Sequence, residues 1–291
     1  MPWFAIAEVI TGATGSPCRP ERHVPVSGGS INAAFRLESG RRRFFVKLND
    51  PGRVDMFAGE ADGLEALAAA HALRVPGVIA CGETAGRSFI VLEWIDLCSR
   101  GDWAALGEGL ARQHQCLGHR HGWHRDNTIG NTAQVNSRDE DWAAFFAAHR
   151  LGYQLDLARR AGAPARTIDR GERVRRELGR LFAGYQPAPS LLHGDLWSGN
   201  VGFDAHGGPV IFDPAVHYGD RECDLAMSEL FGGFPEAFHS AYDAVWPRDP
   251  GYWVRRDLYQ LYHVLNHFNL FGGGYAASAR SLIDRLLAAM G

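Results

Sequence analysis

The residues able to do chemistry begin with His193-Gly-Asp195-Leu-Trp-Ser-Gly-Asn200, followed thirteen residues later by Asp213. Two carboxylates and an amide oxygen thus surround a short segment. Its apolar runs, Asn200 to Phe203 and Pro209 to Phe212, flank Asp204-Ala-His-Gly-Gly208, which predicts a hairpin. Singly, each polar residue has a structural use: Asp195 in a turn, Asn200 at a strand start, Asp213 as a cap before Pro214. Together they suit phosphoryl transfer from a nucleotide. One carboxylate orients the attacking hydroxyl and takes its proton, while a second carboxylate and an amide oxygen hold Mg²⁺ on the phosphates.

The order Asp, five residues to Asn, then Asp at a strand end matches a kinase catalytic loop and metal aspartate. Upstream, Val26-Ser27-Gly28-Gly29-Ser30, followed by Asn32, is a small-residue loop whose backbone N–H groups can approach phosphate oxygens. It has neither the Walker A pattern nor G-x-G-x-x-G, so P-loop and dinucleotide-binding readings fail. Lys47 lies inside the apolar run Phe44 to Leu48, where a buried stem leaves its ammonium in need of an anion. Two acidic residues compete for it. Glu60 and Glu65 are five apart, about 140° around a helix, so both cannot face the strand. Glu60 shares the face of Leu64, Leu67 and His71 and is the partner chosen.

The elements that must position these residues fall into two patterns. Up to about residue 95, strand-like pieces (Ala33 to Leu37, Phe44 to Leu48, Val78-Ile79, Ser88 to Leu92) alternate with one helix from about Phe57 to Leu73. From Asp102 the spacing turns helical, with Leu106, Leu110 and Leu117 on one stripe and Trp142, Phe145, Phe146, His149 and Tyr153 on another. Leu258 to Phe268 predicts a buried helix and Arg280 to Met290 a terminal one. The pattern changes at Glu93-Trp-Ile-Asp96 without a linker. Residues 1–95 therefore read as an N-terminal nucleotide-binding lobe and residues 96–291 as a catalytic and substrate-binding lobe, with the ligand site in the cleft between.

Composition narrows the function classes. The 291 residues are 46% hydrophobic and 22% charged with a net charge of −3, so no basic field exists to hold nucleic acid. No apolar run approaches the roughly 18 residues of a membrane span, and the start lacks a basic leader. Five scattered cysteines without a C-x-x-C pair fit a reducing cytoplasm. His114, His119, His121 and His124 lack metal-ligand spacing and read as a solvated loop. In His217-Tyr-Gly-Asp220-Arg-Glu-Cys-Asp224, helix capping and substrate roles are not separable from sequence. Trp197 is either a core aromatic or a floor for a sugar.

With these residues in hand, the chain resembles the fructosamine kinase (ketosamine 3-kinase) family, within the α+β protein-kinase-like fold that also hosts aminoglycoside phosphotransferases. The resemblance runs almost end to end. It rests on Trp123-His-Arg-Asp-Asn-Thr-Ile-Gly130 with Gln134, on His193 to Asn200, Phe212-Asp-Pro-Ala215, Tyr218-Gly-Asp-Arg-Glu222, Asp224 to Met227, Glu229 to Phe234, Leu261 to His267 and Asn269 to Tyr275. It implies a bilobal molecule, a small antiparallel sheet with one helix followed by a larger, mainly helical lobe. It implies transfer of the ATP γ-phosphoryl to the 3-hydroxyl of a ketoamine, free or on a protein lysine, after which the unstable 3-phosphate eliminates and frees the amine. By the same resemblance Asp195 is the base, Asn200 and Asp213 are Mg²⁺ ligands, Lys47 pairs with phosphate and Glu60 with Lys47. Ser27, Gly28, Gly29, Ser30 and Asn32 cover the phosphates, and Glu93, Trp94 and Ile95 meet adenine through backbone groups. Asp126, Asn127, Trp197, Asp220 and His267 are placed near the ketoamine. Ser30 stands where some eukaryotic relatives have a cysteine, and His124 where relatives often have an acidic residue. The competing readings are a same-fold kinase for an aminoglycoside, homoserine or choline-like alcohol, a silent nucleotide-binding module, and a metal-dependent hydrolase using His193.

Overall fold

Alternation of apolar and polar residues in the first third of the chain gives one antiparallel sheet. The computed structural model describes residues 2–27 and 31–291. Strands β1 (Arg22–Val26), β2 (Ala33–Ser39), β3 (Arg42–Asn49), β4 (Val78–Thr84) and β5 (Arg87–Glu93) pair in the order β1-β2-β3-β5-β4. Each face is covered by a helix. Phe44, Val46 and Leu48 of β3 point to helix α1 (Trp3–Thr14), packing with Ile6 and Ile10. The intervening Phe45 and Lys47 face α2 (Val54–Ala69). The single helix expected here is thus two. The second helix also begins and ends earlier than its periodicity implied, and His71 leaves the stripe, exposed and left-handed at φ 51°. β3 is a central strand, so Lys47 is not an edge lysine free to reach solvent.

The remaining chain is mostly helical: α3 (Trp103–His114), α4 (Trp142–Phe145) continuing through a π-turn into α5 (Tyr153–Arg160), α6 (Ala165–Glu177), α7 (Glu222–Ser228), α8 (Glu236–Val245), α9 (Tyr252–Phe271) and α10 (Tyr275–Met290). Leu117 lies beyond the end of α3 and is 55% exposed, so it does not extend the Leu106–Leu110 stripe. Trp142, Phe145 and Phe146 form the expected core with Leu258, Leu265 and Leu286 of the last two long helices. Each fully buried side chain of this size contributes about 1.5–3 kcal/mol. Three short strand pairs interrupt the helices among the described residues: the hairpin β6 (Asn127–Ile129) with β7 (Thr132–Gln134), the hairpin β9 (Val201–Phe203) with β10 (Pro209–Ile211), and β8 (Ser190–Leu192) paired with β11 (His217–Gly219).

The run Asp220-Arg-Glu222 is buried structure. Asp220 accepts the Tyr185 and Tyr259 hydroxyls at 3.0 and 2.5 Å and lies away from any open surface. Arg221 donates to the carbonyls of Trp246 and Pro247. Glu222 meets Arg255 of α9 through two bonds of 2.7 and 3.0 Å, and Arg255 also holds Asp249 at 2.6 Å. Burial pushes the Glu222 carboxyl up to about 7, with Arg255 opposing the rise. Removing one partner of such a pair strands the other charge. Arg255→Met is therefore expected to cost about 3–5 kcal/mol at pH 8, read as a lower urea midpoint, and less at pH 5, where the stranded Glu222 is protonated. An equal loss at both pH values would show that packing and not charge is at stake.

Candidate functional site

The strand β8 delivers His193-Gly-Asp195 to the cleft, and the backbone there is tied down before any side chain acts. Asp224, near the start of α7, accepts the N–H groups of His193 and Gly194 at 2.7 and 2.8 Å. Burial opposes ionisation of Asp224, yet His114 at 3.1 Å, His193 and the Gly194 amide together hold its carboxyl below the usual range. His193 is neutral, its affinity for a proton lowered by burial. Its Nε2 donates to the Phe212 carbonyl at 3.0 Å while its Nδ1 accepts from the Asp195 N–H at 3.3 Å. Both ring nitrogens are thus engaged by backbone, which removes His193 as a free base. Gly194 adopts φ +83°, and a Cβ there would stand about 2.1 Å from the Ala215 carbonyl oxygen, so only glycine fits.

The carboxylates converge from there. Asn200 donates from Nδ2 to the Asp195 carbonyl at 2.8 Å and to its Oδ2 at 3.1 Å, with the Asp213 carbonyl at 3.4 Å. Asp213 follows β10 in a left-handed conformation, φ 57°, which a short Asp side chain tolerates better than most residues. That twist sends its Oδ1 to within 2.5 Å of Lys47 Nζ, which also donates to Glu60 Oε1 at 2.7 Å. Burial alone would lower the pKa of Lys47, but Asp213 and Glu60 reverse this and hold the ammonium charged. Glu65 is exposed on the far side of α2. Asp195 keeps 21% of its side chain in contact with solvent, yet burial, opposed by Asn200 and reinforced by Asp213 and Asp224, pushes its carboxyl up to about 7.

The donor set suits a hard divalent cation with the nucleotide. Asn200, its Nδ2 committed to Asp195, presents Oδ1 as a neutral oxygen, and Asp213 retains Oδ2 on a side chain that is 43% exposed. No membrane-length apolar helix occurs among the described residues. At the sheet's exit, the Glu93 side chain is taken by Arg74 and the Gly77 N–H, and Trp94 Nε1 donates to Asp96, which Arg43 grips with two bonds of 2.8 and 2.6 Å. The side-chain polar atoms of Glu93 and Trp94 are thus committed within the protein. Asn32 accepts from the Asn49 amide at 2.7 Å and Ser27 is exposed, while Gly28, Gly29 and Ser30 lie outside the described residues.

The five residues placed near an acceptor separate into two groups. Trp197 packs edge-on against Phe231, centroids 6.1 Å apart, and Phe231 lies 4.5 Å from the His267 ring, which in turn neighbours Tyr275 at 5.3 Å. These rings border the Asp195 loop. Asn127, Asp126 and Asp220 make contacts within the scaffold. Asn127 donates to the Val216 carbonyl at 2.8 Å and accepts from Gln134 and Asn136, and Asp126 accepts the Asn136 N–H, so both brace the β6–β7 hairpin. Sequence reasoning missed the anchoring by Asp224 and the second support of His114. His114 and His121 are buried and not part of a solvated loop, whereas His119 is exposed and His124 meets Asp62 at 2.9 Å. The signal for His114 was its position on the apolar stripe beside Leu110.

Comparison with known proteins follows the same lines. The fructosamine kinase family model matches residues 2–289. A probable ketoamine kinase of Synechocystis is 48% identical over 98% of this chain and 97% of its own. A chloroplastic protein-ribulosamine 3-kinase of rice is 45% identical over 90% of this chain and 78% of its own. Among solved structures, a protein assigned as a fructosamine-3-kinase from Haemophilus somnus superposes with TM-score 0.92 at 30% identity, covering 98% of this chain and 97% of that one. An aminoglycoside phosphotransferase superposes with TM-score 0.64 at 17% identity, covering 99% of both chains, which shows the shared fold.

A folded carboxyl at about 7, against about 3.8 in the unfolded chain, makes stability fall as pH rises between those values and level off above them. The nucleotide-free Asp195→Asn protein is therefore expected to match the parent's Tm near pH 4 and exceed it by several degrees at pH 8. A pH-independent difference would contradict the burial of that charge.

Proposed function

This chain belongs to the fructosamine kinase family, and from that membership we propose that it is an ATP-dependent ketosamine 3-kinase whose phosphoryl transfer is run by Asp195, Lys47, Asn200 and Asp213. The observation that carries the reading is the meeting of those four side chains, with Glu60 behind Lys47, in one place in the cleft. Residues 1–95 then bind nucleotide, and residues 96–291 supply the catalytic groups and receive the acceptor.

Asp195 orients the acceptor 3-hydroxyl and takes its proton as the O–P bond forms. Its raised proton affinity suits that exchange near neutral pH. Lys47, held by Glu60, offers its ammonium to the nucleotide phosphates. Asn200 and Asp213 would hold Mg²⁺, which supplies charge neutralisation on the phosphates when bound. Ser27, Asn32 and the intervening Gly28, Gly29 and Ser30 cover the phosphates, and backbone groups of Glu93, Trp94 and Ile95 meet the adenine. Trp197 and His267 form part of the acceptor wall, where rings can cover the apolar face of a sugar. Phosphorylation at the 3-hydroxyl makes a phosphate that eliminates and releases the amine, which is deglycation of a free amine or a protein lysine. Five free cysteines support a cytoplasmic setting.

Offered Mg²⁺-ATP with ribulosamine, erythrulosamine and fructosamine derivatives of lysine beside an aminoglycoside, choline and homoserine, the purified protein is expected to turn over the ketoamines alone and to give 3-phosphorylated products. Turnover restricted to another alcohol would retain the fold and overturn the acceptor. Asp195→Asn should lower kcat by about 10²- to 10⁴-fold with ATP affinity changed little, since the base acts on the acceptor. Asp213→Asn should instead abolish Mg²⁺-dependent nucleotide binding by calorimetry, and unchanged affinity would remove it from the metal set.

A further inference from the structure

Helix α9 brings a second imidazole to the loop that carries Asp195. His263 lies one turn before His267, and its carbonyl accepts from His267 Nδ1 at 2.8 Å. Its ring is 3% exposed, and its Nδ1 has no hydrogen-bond partner among the described residues. That nitrogen sits 3.9 Å from Oδ1 of Asp195. Asn200 holds the other oxygen, Oδ2, so the two groups approach the carboxylate at different atoms. A separation of 3.9 Å is about 1 Å too long for an N–H···O bond and too short to admit a water between the two groups. Hydrogen bonds that serve a reaction are often long in the unliganded protein and tighten when substrate binds.

Room for that tightening exists. His263 lines a cavity of about 10 Å³ with Arg150, Gly194, His217 and Tyr262, space for roughly one water, so the ring is not closely packed on that side. Burial, reinforced by the neighbouring His267, lowers the His263 pKa to about 3, so the ring is a neutral donor and not a counter-ion. The nearby Arg150 points its bonds elsewhere, to the Val135 carbonyl and Asn136 Oδ1, each at 2.6 Å.

We propose that His263 is a positioning residue for phosphoryl transfer: with acceptor bound, its Nδ1–H closes onto Oδ1 of Asp195 and, opposite Asn200, fixes the plane of the carboxylate so that its free lone pairs meet the acceptor hydroxyl. The imidazole keeps its proton throughout, and the hydroxyl proton goes to Asp195. The inference rests on the reading of Asp195 as the base.

Three substitutions and one pairing test it, with ketoamine and Mg²⁺-ATP at saturation. Asn places an amide N–H where Nδ1 stands, Gln places one where Nε2 stands, and Leu has none. His263→Asn is expected to stay within a few-fold of the parent kcat. His263→Leu and His263→Gln are expected to lose about 10- to 100-fold in kcat with KM for ATP unchanged. Adding His263→Leu to Asp195→Asn should cost nothing further, because the two act as a unit. Should Leu disturb folding, as read by Tm, the contrast between Asn and Gln carries the same information. Parent-like kcat for the Gln variant, an Asn variant as slow as Gln, or a full additional loss on top of Asp195→Asn would each overturn the proposal. If Asp195→Asn itself retains turnover, the base assignment fails and the positioning role with it; if that variant is inactive while the His263 variants are unaffected, only the positioning role fails.

Discussion

The ammonium of Lys47, shared between Glu60 and Asp213, is the contact on which the site depends. A lysine in the middle of a central strand, its side chain 7% exposed, has little water to solvate it and needs anions beside it to stay charged. Meeting that requirement sets three elements against one another: β3, which carries the lysine, α2, which carries Glu60, and the end of β10, which carries Asp213. The two carboxylates are not equivalent. Glu60 is as buried as the lysine, whereas the Asp213 side chain is 43% exposed. The Glu60 half is a buried support, and the Asp213 half is the face that water can reach.

A second constraint acts on the backbone. Phosphoryl transfer asks a protein for placement more than for covalent chemistry. The His193-Gly194-Asp195 turn is placed by groups that never touch a substrate: Asp224 accepts two of its amides, His114 supports Asp224, and His193 ties the turn to the Phe212 carbonyl just ahead of Asp213. Asp195 and Asp213 are therefore linked through a neutral imidazole, and a shift at one is passed to the other.

These two constraints explain what the sequence disclosed. Lys47 and Glu60 were legible because a cation inside an apolar run demands a partner, and helix geometry allowed only one of two glutamates to supply it. Asp195, Asn200 and Asp213 were legible from spacing around a hairpin. Helix α1 was not, because it is apolar on several sides and covers a sheet face that alternation alone does not assign to any particular element. Strand β1 was hidden by Pro25, which an edge strand tolerates. Asp224 and His114 escaped because a polar residue on an apolar stripe looks the same in sequence whether it anchors a loop or faces water.

The same ambiguity accounts for Asn127, Asp126 and Asp220, placed near the acceptor on the strength of family-specific motifs. Asn127 and Asp220 are buried with their polar atoms engaged by Val216, Gln134, Tyr185 and Tyr259, while Asp126 is exposed and accepts the Asn136 N–H through one oxygen. Buried polar groups with every partner in place tolerate little substitution, since removing one strands the others at a cost of about 1–3 kcal/mol. A motif can therefore mark a family through the scaffold it builds as well as through its site. The side chains bordering Asp195 are the ring of Trp197, the edge of Phe231 held in a left-handed turn at φ 54°, and His267 and Tyr275 beyond it. On the proposed function, aromatic faces of this kind would select by shape and by the apolar surface of a sugar rather than by counted hydrogen bonds, leaving the reacting hydroxyl to be chosen by where Asp195 is aimed.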